Sequence, residues 1–451
     1  MFEYSPENLT EIADILKQHN VNGALIKKLG KNANDKNQVY SGSDFQPLHP
    51  YFNFEFDERV ESVSAKKGGQ HLGKPILEAK FTKFLWLGSD KSEIRAKNLK
   101  LIIYPQYPEA RLSGFEPITG HMPPSLSVTY TKENPEVTRY LLIARRGFGE
   151  ALGMMIVNPS PRFIDEVSAL SAAPKSKVWK SISFEQDTSE ELRSLLSNIV
   201  SRSHDGCRLN QRGNVIPFNG TQVCGFTLEQ ALGISPNSSK DGDFKGIELK
   251  THTQKRVTLF TPEPDIGNYN QDFKKFMMDY GYLDNNGNYR LTGIHRNGIR
   301  CAKSNLTLKI NEYDPSQNLL SQTNRNIFVG LFTDSNNLVA GWSLARLLNC
   351  WGAKHNEVVY VPANKIKNPD IAKRSEGYNF LVTFGNTVSW CKVTSADKLL
   401  QAIYKGTIFL DPAPKYVPSS PNESKRRSQW RVSDISQAVH DLYESVEKVD
   451  L

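Results

Sequence analysis

The sequence has few cysteines and no long apolar run, and each absence excludes a class of protein. Its five cysteines are scattered and form no C-x-x-C pair, which argues against a zinc ribbon and against a disulfide framework. No run of about 18 or more apolar residues occurs, so no membrane span is predicted. The N-terminal residues lack a basic region followed by an apolar core, so no secretory signal is predicted either. We therefore expect a protein of the reducing cytoplasm.

What the sequence does have is length and positive charge. Its 451 residues, of which 38% are hydrophobic, are enough for two or three domains with real cores. The formal net charge is +8, and the isoelectric point is about 9.0. This balance suits a polyanionic partner such as nucleic acid, but an ordinary basic protein has the same balance. Charge alone leaves both interpretations open.

A change in composition predicts the domain boundary. The stretch SAAPKSKVWKSISFEQ, residues 171–186, is small, polar and basic, and it lacks a sustained periodicity. We predict an α+β or mostly β domain over residues 1–180, in which PSLSVTYTK (124–132) is a strand. Residues 185–451 alternate helices and strands, which predicts an α/β domain with a mixed central sheet flanked by helices. SDISQAVHDLYESVEKV (433–449) is predicted to be a terminal helix with Ser433 as its N-cap.

The stretch DGDFKGIELKTHTQ, residues 241–254, places three charged residues around a short apolar strand. Side chains alternate along a strand, so Glu248 and Lys250 point to one face and Leu249 to the other. Asp243 lies five residues before Glu248, which is the wrong parity for the same face of a straight strand. Gly246 could supply a bend that brings Asp243 back beside Glu248.

Two converging carboxylates repel each other unless one is protonated or a cation lies between them. Mg²⁺ prefers oxygen ligands and takes one or two carboxylates, so Asp243 and Glu248, with the Leu249 carbonyl as a third ligand, predict a metal site. Lys250 would orient a metal-activated water and stabilise the negative transition state of phosphodiester hydrolysis. The pattern D-x4-E-x-K also arises by chance in charged proteins, so a solvated strand edge remains the alternative.

The wider context resembles a known family. GFTLEQALG (225–233) followed by DFKGIELKT (243–251) is similar to the active-site region of the MvaI/BcnI-type restriction endonucleases, in the MutH-like branch of the PD-(D/E)XK nucleases. The resemblance implies metal-ligand roles for Asp243 and Glu248 and a catalytic role for Lys250. It also places Glu229 at the acidic helix position of this branch, where it would bind Lys250 or a second metal. An exposed helix carboxylate is the alternative for Glu229.

A late basic region is the predicted base reader. SKRRSQWR, residues 424–431, contains Arg426, Arg427 and Arg431 without an acid. Arginine can bind guanine O6 and N7 in a bidentate manner, and Asp411 in GTIFLDPAPKY could accept from cytosine N4. The alternative is a phosphate-binding or solvated loop. In the resembled family this region reads base edges: Asp411 and Arg431 match its polar positions, whereas Arg426 and Ala413 depart from it, which leaves the exact target open.

Other basic residues are weaker candidates for DNA contacts. His252 and Lys255 follow the active strand and would touch DNA near the cut, although packing or solvent exposure also explains His252. In the N-terminal part, the Gly/Lys-rich loop at residues 64–75 could approach a phosphate backbone or be a solvated hairpin loop. Three arginines at strand ends there could contact DNA or form surface ion pairs: Arg111, Arg145 and Arg146.

Together these features predict a Mg²⁺-dependent type II restriction endonuclease. We expect a monomer that cuts double-stranded DNA at a short, near-palindromic site, for example of the CCWGG type, and leaves 5′-phosphate ends. The N-terminal part would be an additional DNA-binding or effector domain, in a plan similar to that of UbaLAI-type enzymes, which join a B3-like barrel to an MvaI-like domain. A MutH-like nicking enzyme of DNA repair and a non-catalytic DNA reader are the alternatives.

Overall fold

The computed structural model describes residues 2–31, 37–42, 47–49, 51–60, 75–104, 109–146, 150–174, 176–183, 188–234, 243–322, 325–352 and 355–451. Residues 64–74 of the predicted Gly/Lys-rich loop lie outside these ranges. The chain forms two compact units: one comprises Met1–Thr188 and Leu320–Asn324, and the other Ser189–Leu319 and Arg325–Leu451. Within the described ranges, no helix has the length and apolar character needed to cross a membrane.

The first unit is rich in strands. Its helices are α1 (Leu9–Gln18), α2 (Val128–Glu133) and α3 (Pro161–Ala169). Its strands are β1 (Glu3–Tyr4), β2 (Val21–Lys28), β3 (Val39–Gly42), β4 (Phe54–Val60), β5 (Pro75–Phe81), β6 (Phe84–Leu87), β7 (Glu93–Arg95), β8 (Lys100–Tyr104), β9 (Glu109–Ser113), β10 (Arg139–Arg146), β11 (Glu150–Val157) and β12 (Lys180–Ser183). One sheet has the order β12-β2-β10-β11-β6-β7, with β1 added to β11, and the other has the order β3-β9-β8-β5-β4.

Helices α1 and α3 cover one face of the first sheet. Ile12 and Leu16 of α1 and Phe163 and Val167 of α3 are buried in one cluster with the apolar residues of β2, β10 and β11. This burial removes the apolar stripe of each helix from water, which is the main force that holds such layers together.

The predicted strand at residues 124–132 is wrong. The segment instead forms a short 3₁₀ helix, Pro124–Leu126, and then α2. The Ser127 hydroxyl caps α2 by accepting a hydrogen bond from the Tyr130 N–H at 3.0 Å. A local side-chain cap therefore outweighed the strand preference of the valine, threonine and tyrosine that follow it.

The second unit contains the predicted mixture of helices and strands. Its helices are α4 (Thr188–Val200), α5 (Val223–Ala231), α6 (Asn268–Gln271), α7 (Phe273–Tyr280), α8 (Leu344–Trp351), α9 (Ile371–Ser375), α10 (Ala396–Lys405) and α11 (Ile435–Leu442). Its strands are β13 (His204–Asp205), β14 (Cys207–Leu209), β15 (Val215–Pro217), β16 (Glu248–His252), β17 (Val257–Phe260), β18 (Tyr282–Leu283), β19 (Tyr289–Arg290), β20 (Thr307–Ile310), β21 (Phe328–Phe332), β22 (Leu338–Ser343), β23 (Glu357–Lys367), β24 (Phe380–Phe384), β25 (Thr387–Lys392), β26 (Ile408–Leu410), β27 (Lys415–Tyr416), β28 (Trp430–Val432) and β29 (Ser445–Asp450).

A mixed sheet positions the predicted active strand. Its order is β13-β24-β23-β25-β29, and β16 joins β23 in parallel, whereas the other pairs are antiparallel. Apolar residues of α4 and α5 pack on one face with residues of β23, β24 and β25, and Leu249 of β16 lies against this cluster. The alternation predicted for β16 therefore sends Leu249 toward the core.

The predicted terminal helix is shorter than expected. Helix α11 ends at Leu442, and its N-cap is Asp434, whose carboxylate accepts from the Ser436 N–H, so Ser433 is not the cap. Residues Ser445–Asp450 form strand β29, which pairs antiparallel with β25 along its length. The edge of β25 offers backbone partners to this segment, and that tertiary pairing overrides its local helical pattern.

Candidate active site and DNA interface

A tight turn brings Asp243 back to the start of β16. Lys245 and Gly246 both have positive φ, 46° and 94°. The amides of Asp243 and Phe244 donate to the Ile247 carbonyl at 3.0 and 2.9 Å, and the Ile247 N–H donates to Phe244 O at 2.8 Å. Two successive residues in the left-handed region reverse the chain within two residues, and this is the conformation of a type I′ turn. The bend predicted at Gly246 therefore extends to Lys245.

The Asp243 carboxylate is fixed against the active strand. Its Oδ2 accepts a hydrogen bond from the Leu249 N–H at 2.9 Å. A bond from a backbone amide to a carboxylate is charge-assisted and orients the acceptor. The turn and this bond together bring the Asp243 carboxylate to the segment of backbone that follows Glu248, despite the unfavourable parity of the two positions.

Glu248 and Lys250 form an ion pair on one face of β16. Lys250 Nζ lies 3.0 Å from Glu248 Oε1, and the two side chains are only 18% and 7% exposed. Their positions two residues apart on a strand direct both side chains to the same face. Burial of Glu248 favours a nearby cation because a desolvated carboxylate is costly without one. In this structure the Lys250 ammonium takes that role.

A buried tyrosine pair begins on β23, the strand next to β16, and no sequence motif singles it out. Tyr360 pairs with Lys250 across the parallel strands. Its hydroxyl lies 2.9 Å from that of Tyr443, which in turn lies 3.0 Å from His355 Nδ1. Burial raises the pKa of both tyrosines, and the negative charge of Glu248 adds to this effect. Both hydroxyls therefore remain neutral hydrogen-bonding groups.

Glu229 lies on α5, which packs against β16. The helix approaches the strand closely at Gly225, where an added Cβ would be 3.6 Å from Thr251 Oγ1. Glu229 is half-buried on this helix. Among the described residues, the carboxylate that pairs with Lys250 is Glu248. The role of Glu229 near the site stays a prediction.

The donors on this turn and strand fit a hard divalent cation. Asp243 and Glu248 supply carboxylate oxygens, and Leu249 supplies a main-chain carbonyl. The Leu249 amide already orients Asp243. This set contains only oxygen donors and two carboxylates, which suits Mg²⁺ with its retained waters better than a thiol- or imidazole-seeking metal. Among the residues that the structure describes, no cluster of three or more His, Cys, Asp or Glu side chains could hold a metal.

The two basic residues that follow the active strand have different surroundings. His252 ends β16 and is half-buried, and its pKa is lowered, mainly by burial and also by the positive charge of Lys448. Lys255 lies in the turn before β17, with an 83% exposed side chain whose ammonium is 3.3 Å from Asp434. Lys255 is thus accessible to a polyanion, whereas a neutral His252 is a hydrogen-bonding rather than a charged group.

Asp411 and Arg431 are brought together, although 20 positions separate them in the sequence. Strand β28 pairs with β17 on one side and β26 on the other, with Arg431 opposite Thr258 and Phe409. Asp411 follows β26, and its Oδ2 accepts from Arg431 Nη1 at 2.8 Å. The two side chains are 21% and 25% exposed. The next strand after β16 in the chain is β17, which belongs to the sheet that carries this pair. A short turn therefore links β16 to that sheet.

Arg426 is held by aromatic rings. Its guanidinium carbon lies 4.8 Å from the ring centroid of Phe273 and 5.3 Å from that of Tyr269. Glu263 accepts hydrogen bonds from the Ser428 N–H and hydroxyl and from the Tyr269 hydroxyl. These contacts attach the basic loop to α6 and α7, which sequence reasoning did not connect to it.

Three of the remaining basic residues that were predicted as DNA contacts are either exposed or held in ion pairs. Arg427 is exposed. Arg111 pairs with Glu109 at 2.6 Å, and Arg146 pairs with Glu93 and Glu150 at 2.6 and 2.9 Å. Arg111 and Arg146 were predicted either to contact DNA or to form surface ion pairs. The structure shows ion pairs for both.

Comparisons with known proteins identify the second unit. The model of the MvaI/BcnI restriction endonuclease family matches residues 194–443, more than half of the chain. A solved complex of restriction endonuclease MvaI with its cognate DNA substrate is 17% identical and covers 59% of this chain and 99% of that one, with a TM-score of 0.44. The structure of MvaI in the absence of DNA is also 17% identical, with coverages of 59% and 100% and a TM-score of 0.34. No curated protein matches the chain. On the family match, this protein belongs to the MvaI/BcnI restriction endonuclease family.

Proposed function

We propose that this protein is a Mg²⁺-dependent type II restriction endonuclease. It would hydrolyse phosphodiester bonds of double-stranded DNA at a short, near-palindromic site, for example of the CCWGG type, and leave 5′-phosphate ends. Membership of the restriction endonuclease family supports this activity. The observation that carries the proposal is the convergence of Asp243, Glu248 and Lys250 on one turn and strand.

Each residue of this group has a distinct role in the proposed reaction. Asp243 and Glu248 would hold the ion, with the Leu249 carbonyl as a third ligand. Bound Mg²⁺ supplies a positive charge that stabilises a negative phosphate and acidifies water. Lys250 would donate hydrogen bonds to a phosphate oxygen or to the attacking water. Its positive charge would stabilise the negative charge that develops in the transition state. The buried pair of Tyr360 and Tyr443 would support Lys250 from the adjacent strand.

Base recognition is proposed for the β26–β28 region. The Arg431 guanidinium presents donors for guanine O6 and N7, and Asp411 can accept from cytosine N4. Their mutual bond orients both groups before DNA arrives. Arg427, Lys255 and His252 are proposed as additional DNA contacts, and Arg426 as a base or phosphate contact oriented by Tyr269 and Phe273.

The first unit is proposed as an additional DNA-binding or effector module. The family model begins at residue 194, so this unit lies outside the matched region. Its strand-rich architecture and the positive charge of the whole chain support a contact with a second DNA site.

One experiment separates this function from its alternatives. The full-length protein is incubated with plasmid and phage DNA in Mg²⁺ or in EDTA, and the ends of any product are mapped. Discrete fragments that form only with Mg²⁺ support a restriction enzyme. Nicked circles without linear product favour a nicking enzyme, and binding without cleavage in a gel-shift assay favours a DNA reader. Either of the last two results overturns the proposal.

A further inference from the structure

A basic cavity lies within the first unit, remote in sequence from the carboxylate site. Its volume is about 430 Å³, and it is formed by residues of β2, β3, β9, β10 and α2 together with neighbouring turns. Of its described lining residues, four are basic, namely Lys27, Lys31, Arg111 and Arg139, and none is acidic. A cavity of this size is typical of sites for small organic ligands.

Arg139 brings a buried positive charge to this cavity. It is 5% exposed, and its guanidinium donates to the carbonyls of Ser125 and Gly30. Among the described residues, no carboxylate pairs with it. Two carbonyls satisfy some of its five N–H donors but supply no negative charge. A buried cation with only neutral partners is costly, so the site favours an anion.

Lys27 provides a second positive charge at the same cavity. Its ammonium lies over the Tyr40 ring, 5.8 Å from the centroid, and within the described part of the chain it has no carboxylate partner. Burial lowers its pKa, which an anionic ligand would reverse. The other two cations are different, because Arg111 pairs with Glu109 and Lys31 with Glu136.

The rest of the lining is apolar and aromatic. Leu29, Val39 and Leu126 contribute to the wall, and Tyr40, 43% exposed, presents its ring. Inorganic phosphate would leave most of this volume and apolar surface uncovered. A ligand with both an anionic group and a planar apolar part would use the charges and the ring together.

We infer that this cavity binds a nucleotide, with its phosphate at Lys27 and Arg139 and its base on the Tyr40 side. The nucleotide could be free in solution or be a single unpaired nucleotide of DNA, because both present the same phosphate and base. An unpaired nucleotide leaves the stack at lower cost than a paired one. The site would add a second ligand to the protein and does not depend on phosphodiester hydrolysis.

Calorimetry on the full-length protein in EDTA tests this inference without cleavage. The probes are the deoxynucleoside 5′-monophosphates, the deoxynucleosides that lack phosphate, a duplex with one bulged nucleotide, and the same duplex fully paired. We expect measurable binding of at least one monophosphate, or tighter binding of the bulged than of the paired duplex. The first result identifies a free nucleotide as the ligand and the second a nucleotide of DNA. Equal weak binding of every probe overturns the inference.

Three variants assign the binding to the cavity. Lys27→Gln should lower the affinity for the bound probe about tenfold or more, because the substitution removes a charge-assisted contact. Tyr40→Ala should weaken the binding of a nucleotide while leaving the melting temperature close to that of wild type, since 43% of Tyr40 is exposed in the folded protein. Lys17→Gln, on the exposed side of α1, also removes one positive charge, but away from the cavity. It should leave the affinity for the probe unchanged. If Lys27→Gln and Tyr40→Ala bind as wild type does, the ligand lies elsewhere and the inference fails.

Discussion

Asp243 and Leu249 are six positions apart, yet the carboxylate of one accepts the backbone amide of the other at 2.9 Å. The left-handed turn at Lys245 and Gly246 makes this contact possible. The contact places Asp243 beside β16. One face of this strand carries Glu248 and Lys250 as a partly buried ion pair. The turn thus supplies a geometry that strand alternation alone does not allow.

Asp243→Asn should separate charge from structure. The amide oxygen can still accept from the Leu249 N–H, so the turn should be kept, but the negative charge that is proposed to hold the metal is lost. We expect cleavage to fall by about 100-fold or more, with little change in DNA affinity measured in EDTA. The measurement is the rate of plasmid linearisation in Mg²⁺. Asp279→Asn, which removes a surface carboxylate of α7, is the matched control; wild-type cleavage by Asp243→Asn would contradict the assignment.

Gly246→Ala should destabilise the turn. At φ +94° an added Cβ is strained, and we expect a loss of about 1–2 kcal/mol in the free energy of unfolding together with slower cleavage. Gly225→Ala provides the contrast, because Gly225 is helical and its added Cβ would be in ordinary contact with Thr251. That variant should be neutral or stabilising by about 0.5–1 kcal/mol. Thermal melting of both variants measures the difference, and equal melting temperatures would argue against strain at Gly246.

Asp411→Asn and Arg431→Gln should relax sequence discrimination. Each substitution removes a group proposed to read a base edge, and a good bidentate contact contributes about 1–3 kcal/mol of discrimination. The ratio of the cleavage rate at the mapped site to the rate at sites with one altered base pair should therefore fall by about tenfold or more. The check is the ratio of cleavage rates on matched and altered duplexes. A uniform loss on all duplexes, with an unchanged ratio, would indicate a phosphate contact or a structural role instead.

The pH dependence of stability should include a contribution from His295. This side chain is fully buried, Nε2 lies 2.7 Å from Ser304 Oγ, and burial lowers its pKa from 6.5 to about 4. Between these values the unfolded chain binds a proton that the native protein does not. Stability is therefore present in full above about pH 6.5 and decreases as the pH falls toward 4.

His295→Gln should flatten that decrease. Melting temperatures between pH 7.5 and 5 would be compared for wild type, His295→Gln and the exposed-residue control His440→Gln. The comparison concerns slopes, since His295→Gln also changes packing. Some slope should remain because His49, buried in the first unit, has its pKa lowered to about 4 in the same way. Identical slopes in wild type and His295→Gln would contradict the prediction.

The local part of the site was predictable from sequence. Alternation along β16 separates Glu248 and Lys250 from Leu249, and a glycine before the strand permits the turn, because both effects depend on neighbouring residues only. The mixed sheet of the second unit followed from alternating helical and strand patterns. At the C-terminus the same reasoning extended α11 too far, because the edge of β25 is available only in the folded chain.

Sequence alone therefore determined which residues are proposed to carry the chemistry: two carboxylates and a lysine around one strand, and a basic segment late in the chain. Only the tertiary structure decided that Arg431 pairs with Asp411, that Arg426 lies against Phe273, and that Tyr360, bonded to Tyr443, lies beside Lys250. These contacts join segments distant in the sequence. They depend on the register of β17, β26 and β28 and on burial, and no local pattern encodes either.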